Sequence, residues 1–340
     1  MANNYQEFRR KARRRKRRKR LLAGLVLVAA AAILVGGVWF AVSLVRGLGD
    51  GPVSSTGGTS VPASSGASSA SAPADSTAQT GFVLQPATAD TNWNTKGYTV
   101  RTIDTTIQGQ DDGTTAMDFR LATQPSCGVV ELSYYDHVTF VGDSLTQGLE
   151  IYTAGLPNAN YCAYIGIGPN TIVNGGTGKR SDGTKEVAWD AILATQPDAI
   201  YLLLGTNVLT ANTSYDSFLA YYGQLIDMIQ QAKPGITIYV QSITPVRPEV
   251  QATKPGLYRE RLMQINDEVA AMALSKGCRF LDLWECLADS EGYLKAEYAQ
   301  PDGIHIKPEG YAAWVSYLRS HTVYTPGVPY EAGTSYYIEQ

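Results

Sequence analysis

From His137 onward, short apolar runs alternate with longer amphipathic stretches. "VTFVG" (138–142), "YCAYIGIG" (161–168), "AIYLLLG" (199–205), "ITIYVQS" (236–242) and "RFLDLW" (279–284) have the length and composition of buried strands. The segments between them read as helices: "EVAWDAILAT", "SYDSFLAYYGQLIDMIQQA" and "LYRERLMQINDEVAAMALSKG", followed by "KPEGYAAWVSYLRS" with Pro308 near its start, where a helix accepts it. In the second of these, Phe218, Tyr221, Leu225 and Met228 recur at helical spacing and predict one face. Strands alternating with helices predict an α/β fold, a parallel sheet covered on both sides by right-handed crossovers. Ligands of such sheets sit at the carboxyl ends of the strands.

Upstream the pattern differs. Residues 21–45, "LLAGLVLVAAAAILVGGVWFAVSLV", contain no charge. At about 1.5 Å per residue they make roughly 37 Å of helix, enough for a hydrocarbon layer about 30 Å thick. They predict a transmembrane anchor. A cleaved signal peptide is the rival, but its apolar region runs about 7 to 15 residues and ends in a small-x-small site, of which "FAVSLVRGLGD" offers no convincing example. Eleven of the 28 Lys and Arg fall between Arg9 and Arg20 beside one acid, Glu7, leaving 17 basic against 30 acidic residues from position 21 on. The net charge of −3 therefore averages two opposite segments. The positive-inside rule keeps residues 1–20 in the cytoplasm and places the chain beyond the anchor outside the cell. The same position against an apolar span argues against a nucleic-acid partner for the basic cluster.

Residues 46–92 are dominated by Gly, Ser, Thr, Ala and Pro, as in "GPVSSTGGTSVPASSGASSASAPADS". So little apolar surface cannot offset the entropy of ordering, and a flexible linker is expected. In the lead-in, 93–135, "YTVRTIDTTIQ" and "GVVELSYY" read as extended or β-rich segments around a turn-like "GQDDGTT". The alternating domain then spans 136–323, and 324–340 is a C-terminal tail.

Candidate chemistry gathers at the ends of the apolar runs. In "VGDSLTQG", Ser144 falls where the first strand ends and a helix begins, so its hydroxyl can act as a nucleophile while its own amide helps bind an oxyanion. The alternative is that Asp143 or Ser144 only caps the helix. A nucleophile needs a base, and the chain has three histidines. His137 starts the first strand, at the wrong end for Ser144, and His321 comes after the last helix among surface residues. His305 sits in "QPDGIHIKPEGY" with Asp302 three residues ahead, a spacing that lets the carboxylate fix the imidazole tautomer. Hydrogen-bond donors for the oxyanion come from Asn207 in "GTN" and from Gly168 or Gly166 in "YIGIGPNT", where a bare amide can approach a ligand closely.

In these blocks the chain resembles the SGNH or GDSL hydrolases. "GDSLT" matches the first block with Ser144, "GTN" the third with Asn207, and "DGIH" the fifth with Asp302 and His305, while the second, looser block is best met by Gly168 with Gly166 in reserve. The resemblance covers about residues 136–322. It implies a flavodoxin-like three-layer α/β/α sandwich with a central parallel sheet, preceded here by the anchor. It also implies ester hydrolysis without a metal or cofactor, by a Ser144–His305–Asp302 triad with an oxyanion hole of Ser144, Gly168 and Asn207.

"VNGGTGKRS" lacks the spacing and the final Ser or Thr of a phosphate-binding loop. Asn174 to Lys185 is instead expected to be a mobile loop bordering the site, with Lys179 and Arg180 available to an anionic substrate or simply solvated. Cys127, Cys162, Cys278 and Cys286 all fall in the exported part. Cys278 and Cys286 flank a predicted strand and stand too far apart to pair, whereas Cys127 with Cys162 is sterically possible. Three functional classes remain: an esterase removing small acyl groups such as acetyl from wall or other glycans, an O-acyltransferase to a wall polysaccharide, and a silent glycan-binding module. The partners expected are an acylated glycan or other small ester and the membrane, with no obligate protein partner.

Overall fold

In a computed structural model of the chain, the described residues are 101–104, 114–152, 156, 158–325, 327–331 and 334. The expected anchor at 21–45 and linker at 46–92 lie outside them. Among the described residues, no helix is long and apolar enough to cross a membrane.

The five apolar runs form one parallel sheet. Strands β3 (Val138–Gly142), β4 (Asn160–Ala163), β7 (Ala199–Leu203), β8 (Thr237–Gln241) and β9 (Arg279–Leu281) lie in the order β4-β3-β7-β8-β9. This is the flavodoxin-like order, in which the chain reverses direction across the sheet between β3 and β7. Two small antiparallel pairs stand apart from it, β1 (Arg101–Asp104) with β2 (Thr114–Met117) and β5 (Thr177–Lys179) with β6 (Lys185–Val187).

Among the described residues, seven α-helices accompany the strands: α1 (Ser144–Tyr152), α2 (Pro169–Val173), α3 (Ala188–Ala194), α4 (Asp216–Ala232), α5 (Arg259–Ser275), α6 (Trp284–Leu287) and α7 (Pro308–Ser320). Alternate strand residues point to opposite cores. Val141, Ile200, Leu202, Val240 and Phe280 meet α4 and α5, whereas Phe140, Tyr201, Leu203, Tyr239 and Leu281 meet α1 and α7. On the second face, Tyr161, Phe140, Tyr201 and Tyr239 sit side by side in register on four neighbouring strands. Their ring centroids are 5.3, 5.0 and 4.3 Å apart in that order, an aromatic row across the sheet.

Several local expectations are corrected. "YCAYIGIG" leaves the sheet after Ala163, because the Ile165 amide donates to the Lys179 carbonyl at 2.9 Å. "RFLDLW" stops at Leu281, where Asp282 Oδ1 accepts the Trp284 amide and opens α6. "GVVELSYY" is no strand: Leu132–His137 is a 3₁₀ helix, and Val130 makes an isolated bridge to Tyr330 of the tail. The buried face of α4 is turned slightly from the one expected, carrying Leu219, Tyr222, Ile226 and Ile229 with Phe218 and Leu225, while Tyr221 and Met228 are only partly buried. Asn174 to Lys185 is no loop, since it contains β5 and runs to the start of β6. All four cysteines are buried thiols. Cys278 belongs to the first core and Cys286, in α6, to the second.

Phe140 is fully buried at the centre of the aromatic row. Phe140→Ala should lower the unfolding free energy by about 3–5 kcal/mol, read from chemical denaturation of the purified protein.

Candidate active site

The site grows from the carboxyl end of β3. Asp143 succeeds the strand and caps α1, its Oδ1 accepting the Leu145 amide at 2.9 Å. Ser144 is the first residue of α1 and is partly exposed, with Oγ 3.0 Å from Nε2 of His305. Within the Gly-Asp-Ser turn Asp143 is thus the residue that caps α1, while Ser144 faces the histidine.

His305 is held by the turn that precedes it. Asp302 Oδ1 accepts the amides of Ile304 and His305 at 3.0 and 2.9 Å, and its Oδ2 lies 2.5 Å from His305 Nδ1. Partial burial would raise the Asp302 carboxyl, but the bonds from the His305 ring and these two amides outweigh it and hold the group well below the usual carboxylate range. An ionised Asp302 accepts a hydrogen bond from Nδ1–H, which leaves Nε2 free to accept the Ser144 hydroxyl. The imidazole is raised above its ordinary value of 6.5 by its bond to Asp302, and the charges of Asp302 and Asp143 add to this against partial desolvation.

The serine and histidine elements are also joined directly. Tyr311 of α7 donates its hydroxyl to the Leu145 carbonyl at 3.0 Å. Gly148 makes room for it, since a Cβ there would lie 1.8 Å from the Tyr311 oxygen.

Asn207 leaves the end of β7 and donates Nδ2–H to Asp143 Oδ2 at 2.8 Å, which orients the amide and leaves its second N–H for a ligand. Burial pushes the Asp143 carboxyl up to about 6, while the Leu145 amide, the His305 charge and the Asn207 amide hold it down. Gly168 precedes Pro169 at the start of α2, and a Cβ on it would stand 2.6 Å from Cγ1 of Val208, the residue after Asn207. A Cβ on Gly166 would meet nothing within 4 Å. Of the two glycines, Gly168 is thus the one set against the Asn207–Val208 turn. Among the described residues, the amides of Ser144 and Gly168 donate to no protein acceptor.

Arg180 departs from expectation. Its Nε donates to Glu186 at 2.7 Å, its Nη1 donates to the Tyr161 carbonyl at 2.7 Å, and its guanidinium lies over the Tyr164 ring. Folding of β5 onto β6 turns Arg180 toward β4 and away from solvent. Lys179 is exposed, and its carbonyl accepts Gln147 Nε2 at 3.1 Å. His321 is also corrected: it is buried, stacked on Tyr317, with Nε2 3.4 Å from Glu285. His137 is exposed. A cavity of about 110 Å³ lined by Trp189, Ile192, Pro197, Ile200 and Ile229 lies at the amino ends of the strands, away from these groups.

The sequence model of the GDSL-like lipase/acylhydrolase family matches residues 140–313, just over half of the chain and the whole stretch from β3 into α7. The chain belongs to the GDSL-like lipase/acylhydrolase family. This GDSL protein is a serine ester hydrolase by membership. Similar solved structures include a GDSL-like lipase from Bacteroides thetaiotaomicron, 16% identical with a TM-score of 0.43, covering 58% of this chain and 89% of that one. A lipase/acylhydrolase from Enterococcus faecalis is 12% identical with a TM-score of 0.39, covering 53% and 92%. An acetyl xylan esterase is 15% identical with a TM-score of 0.41, covering 55% and 99%. No curated protein matches the chain in sequence.

The bond from Asn207 to Asp143, and the contacts made by Gln147 and Tyr311, position the site and have no counterpart in the motifs. Asp143 stands inside the GDSL motif itself, but its bond to Asn207 spans 64 positions and leaves no local signal.

The Asp302–His305 bond makes a titration testable. Nuclear magnetic resonance of the ring protons should show His305 titrating above 6.5, and Asp302→Asn should move that titration to lower pH, since the mutation replaces the charged acceptor that favours the imidazolium by a neutral amide.

Proposed function

We propose that this GDSL hydrolase is a membrane-anchored esterase that removes small acyl groups, acetyl foremost, from glycans outside the cell, with Ser144, His305 and Asp302 as its triad. The observation that carries the proposal is the chain of contacts from Ser144 Oγ to His305 Nε2 at 3.0 Å and from Nδ1 to Asp302 at 2.5 Å. Three unengaged donors beside it, the amides of Ser144 and Gly168 and the second N–H of Asn207, support an oxyanion hole.

Ser144 Oγ attacks the ester carbonyl carbon while its proton passes to His305 Nε2, and Asp302 stabilises the imidazolium. Collapse of the tetrahedral adduct breaks the bond to the leaving alcohol, which takes the proton from His305. Water then attacks the acyl-enzyme, again losing a proton to His305. The second collapse frees the carboxylic acid and returns the proton to Ser144.

The apolar segment 21–45, the basic residues before it and the Gly/Ser-rich stretch after it support a cytoplasmic N-terminus, a single membrane crossing and a tethered exterior domain. A glycan near the membrane is a substrate such a tether can reach.

Ser144→Ala and His305→Ala should each lower kcat on an aryl acetate by about 10⁴ or more, with the double mutant scarcely worse, and Asn207→Ala by about 10² to 10³. The wild-type rate should rise with pH through an ionisation above 6.5, because His305 acts as a base only when neutral. A Ser144→Ala protein as active as the wild type would refute the triad, and acyl transfer to an added glycan in place of hydrolysis would favour a transferase. Protease added to intact cells should release a soluble, active fragment by cutting within residues 46–92, whereas protection until lysis would reverse the orientation.

A further inference from the structure

We infer that Val208 limits the length of the acyl group accepted at Ser144; the inference rests on the acyl transfer proposed above and specifies its substrate class as short-chain esters. If the amide of Gly168 and the side chain of Asn207 bind the ester carbonyl oxygen, the carbonyl carbon is one bond from that oxygen and the acyl chain starts one bond further on, beside both donors. Val208 touches both of these elements. It is the next residue after Asn207 in the chain, and its Cγ1 occupies the space where a side chain at 168 would begin, 2.6 Å from an ideal Cβ.

The position of Val208 is fixed by its backbone. Its amide and that of Leu209 both donate to the Gly205 carbonyl, at 3.0 and 3.1 Å, and Leu209 is buried in the core beneath. A β-branched side chain on a fixed backbone has few rotamers to retreat into. Yet Val208 itself is 42% exposed, an apolar side chain turned to solvent while its neighbour packs inward. Ile165, on the segment that leads to Gly168, is likewise 42% exposed. Val208 thus presents a rigid apolar wall beside the place where the acyl chain starts. A methyl group fits in front of such a wall, whereas each further methylene must displace it or bend away into water.

The test compares kcat/KM of the full-length protein on 4-nitrophenyl acetate, butanoate and hexanoate. Val208→Ala should raise the butanoate-to-acetate ratio severalfold, up to about tenfold, since a methylene enclosed by apolar surface is worth at least about tenfold and Val208 stands partly open to solvent. Val208→Ile should lower the same ratio, and Val208→Thr, of nearly the same shape, should keep the wild-type ratio. A butanoate-to-acetate ratio that stays within about twofold of wild type in both Val208→Ala and Val208→Ile would overturn the inference. So would a Val208→Thr ratio that tracks Val208→Ala, because polarity and not shape would then be what matters. Failure of the underlying triad shows separately, as a Ser144→Ala protein that still hydrolyses the acetate, whatever the Val208 ratios.

Discussion

The site depends on the register of three parallel strands. Gly142 at the end of β3 pairs with Ala163 at the end of β4 on one side and with Leu203 at the end of β7 on the other. Three chains thus leave the sheet at one level and on one edge. The segments leaving those strands carry Ser144, Gly168 and Asn207, which are far apart in sequence and meet because their strands end together. The switch in strand order beside β3 opens the crevice between the two outgoing chains. A slip of one residue in either pairing would turn Phe140 and its aromatic neighbours out of their core, so the same packing that stabilises the sheet also holds the site in place.

Asp143 couples this frame to the chemistry. One carboxylate oxygen ends the backbone of β3 by capping α1, and the other orients the Asn207 amide. Its charge also favours the imidazolium of His305. A fully buried carboxyl is costly to ionise, which is why burial lifts it to about 6, and its two hydrogen bonds offset part of that cost. Asp302 is held the opposite way, by three bonds in a half-exposed turn. Two carboxylates of different environment thus serve one histidine, Asp302 by direct contact and Asp143 by its charge.

Much of this was legible because apolar periodicity and strand-ending motifs are local. The five strand runs, the three longest helical segments and the residues Ser144, Asn207, Asp302 and His305 are marked by neighbours within a few positions, whereas "EVAWDAILAT" opens in β6 and is helical only over Ala188–Ala194. The features that were missed depend on contacts distant in sequence or on very short elements. The strands of the ribbon at Thr177–Lys179 and Lys185–Val187 are three residues each, too short for a period, and Arg180 reads as a free loop charge until Glu186 is brought opposite it. His321 reads as a surface residue because nothing local announces Glu285, which lies 36 positions earlier. The predicted face of α4 differs from the observed one at Tyr221, because Tyr221 and Tyr222 are identical neighbours and only packing chooses between them.

The central claim is that Ser144 forms the covalent bond to the acyl group. Treating the full-length protein with a fluorophosphonate, which modifies an activated serine as an ester carbonyl would, and mapping the adduct by peptide mass spectrometry tests it directly. A single stoichiometric adduct is expected on the peptide bearing Ser144, with loss of esterase activity in proportion to labelling. An adduct on another residue, or full inactivation with Ser144 unmodified, would contradict the claim.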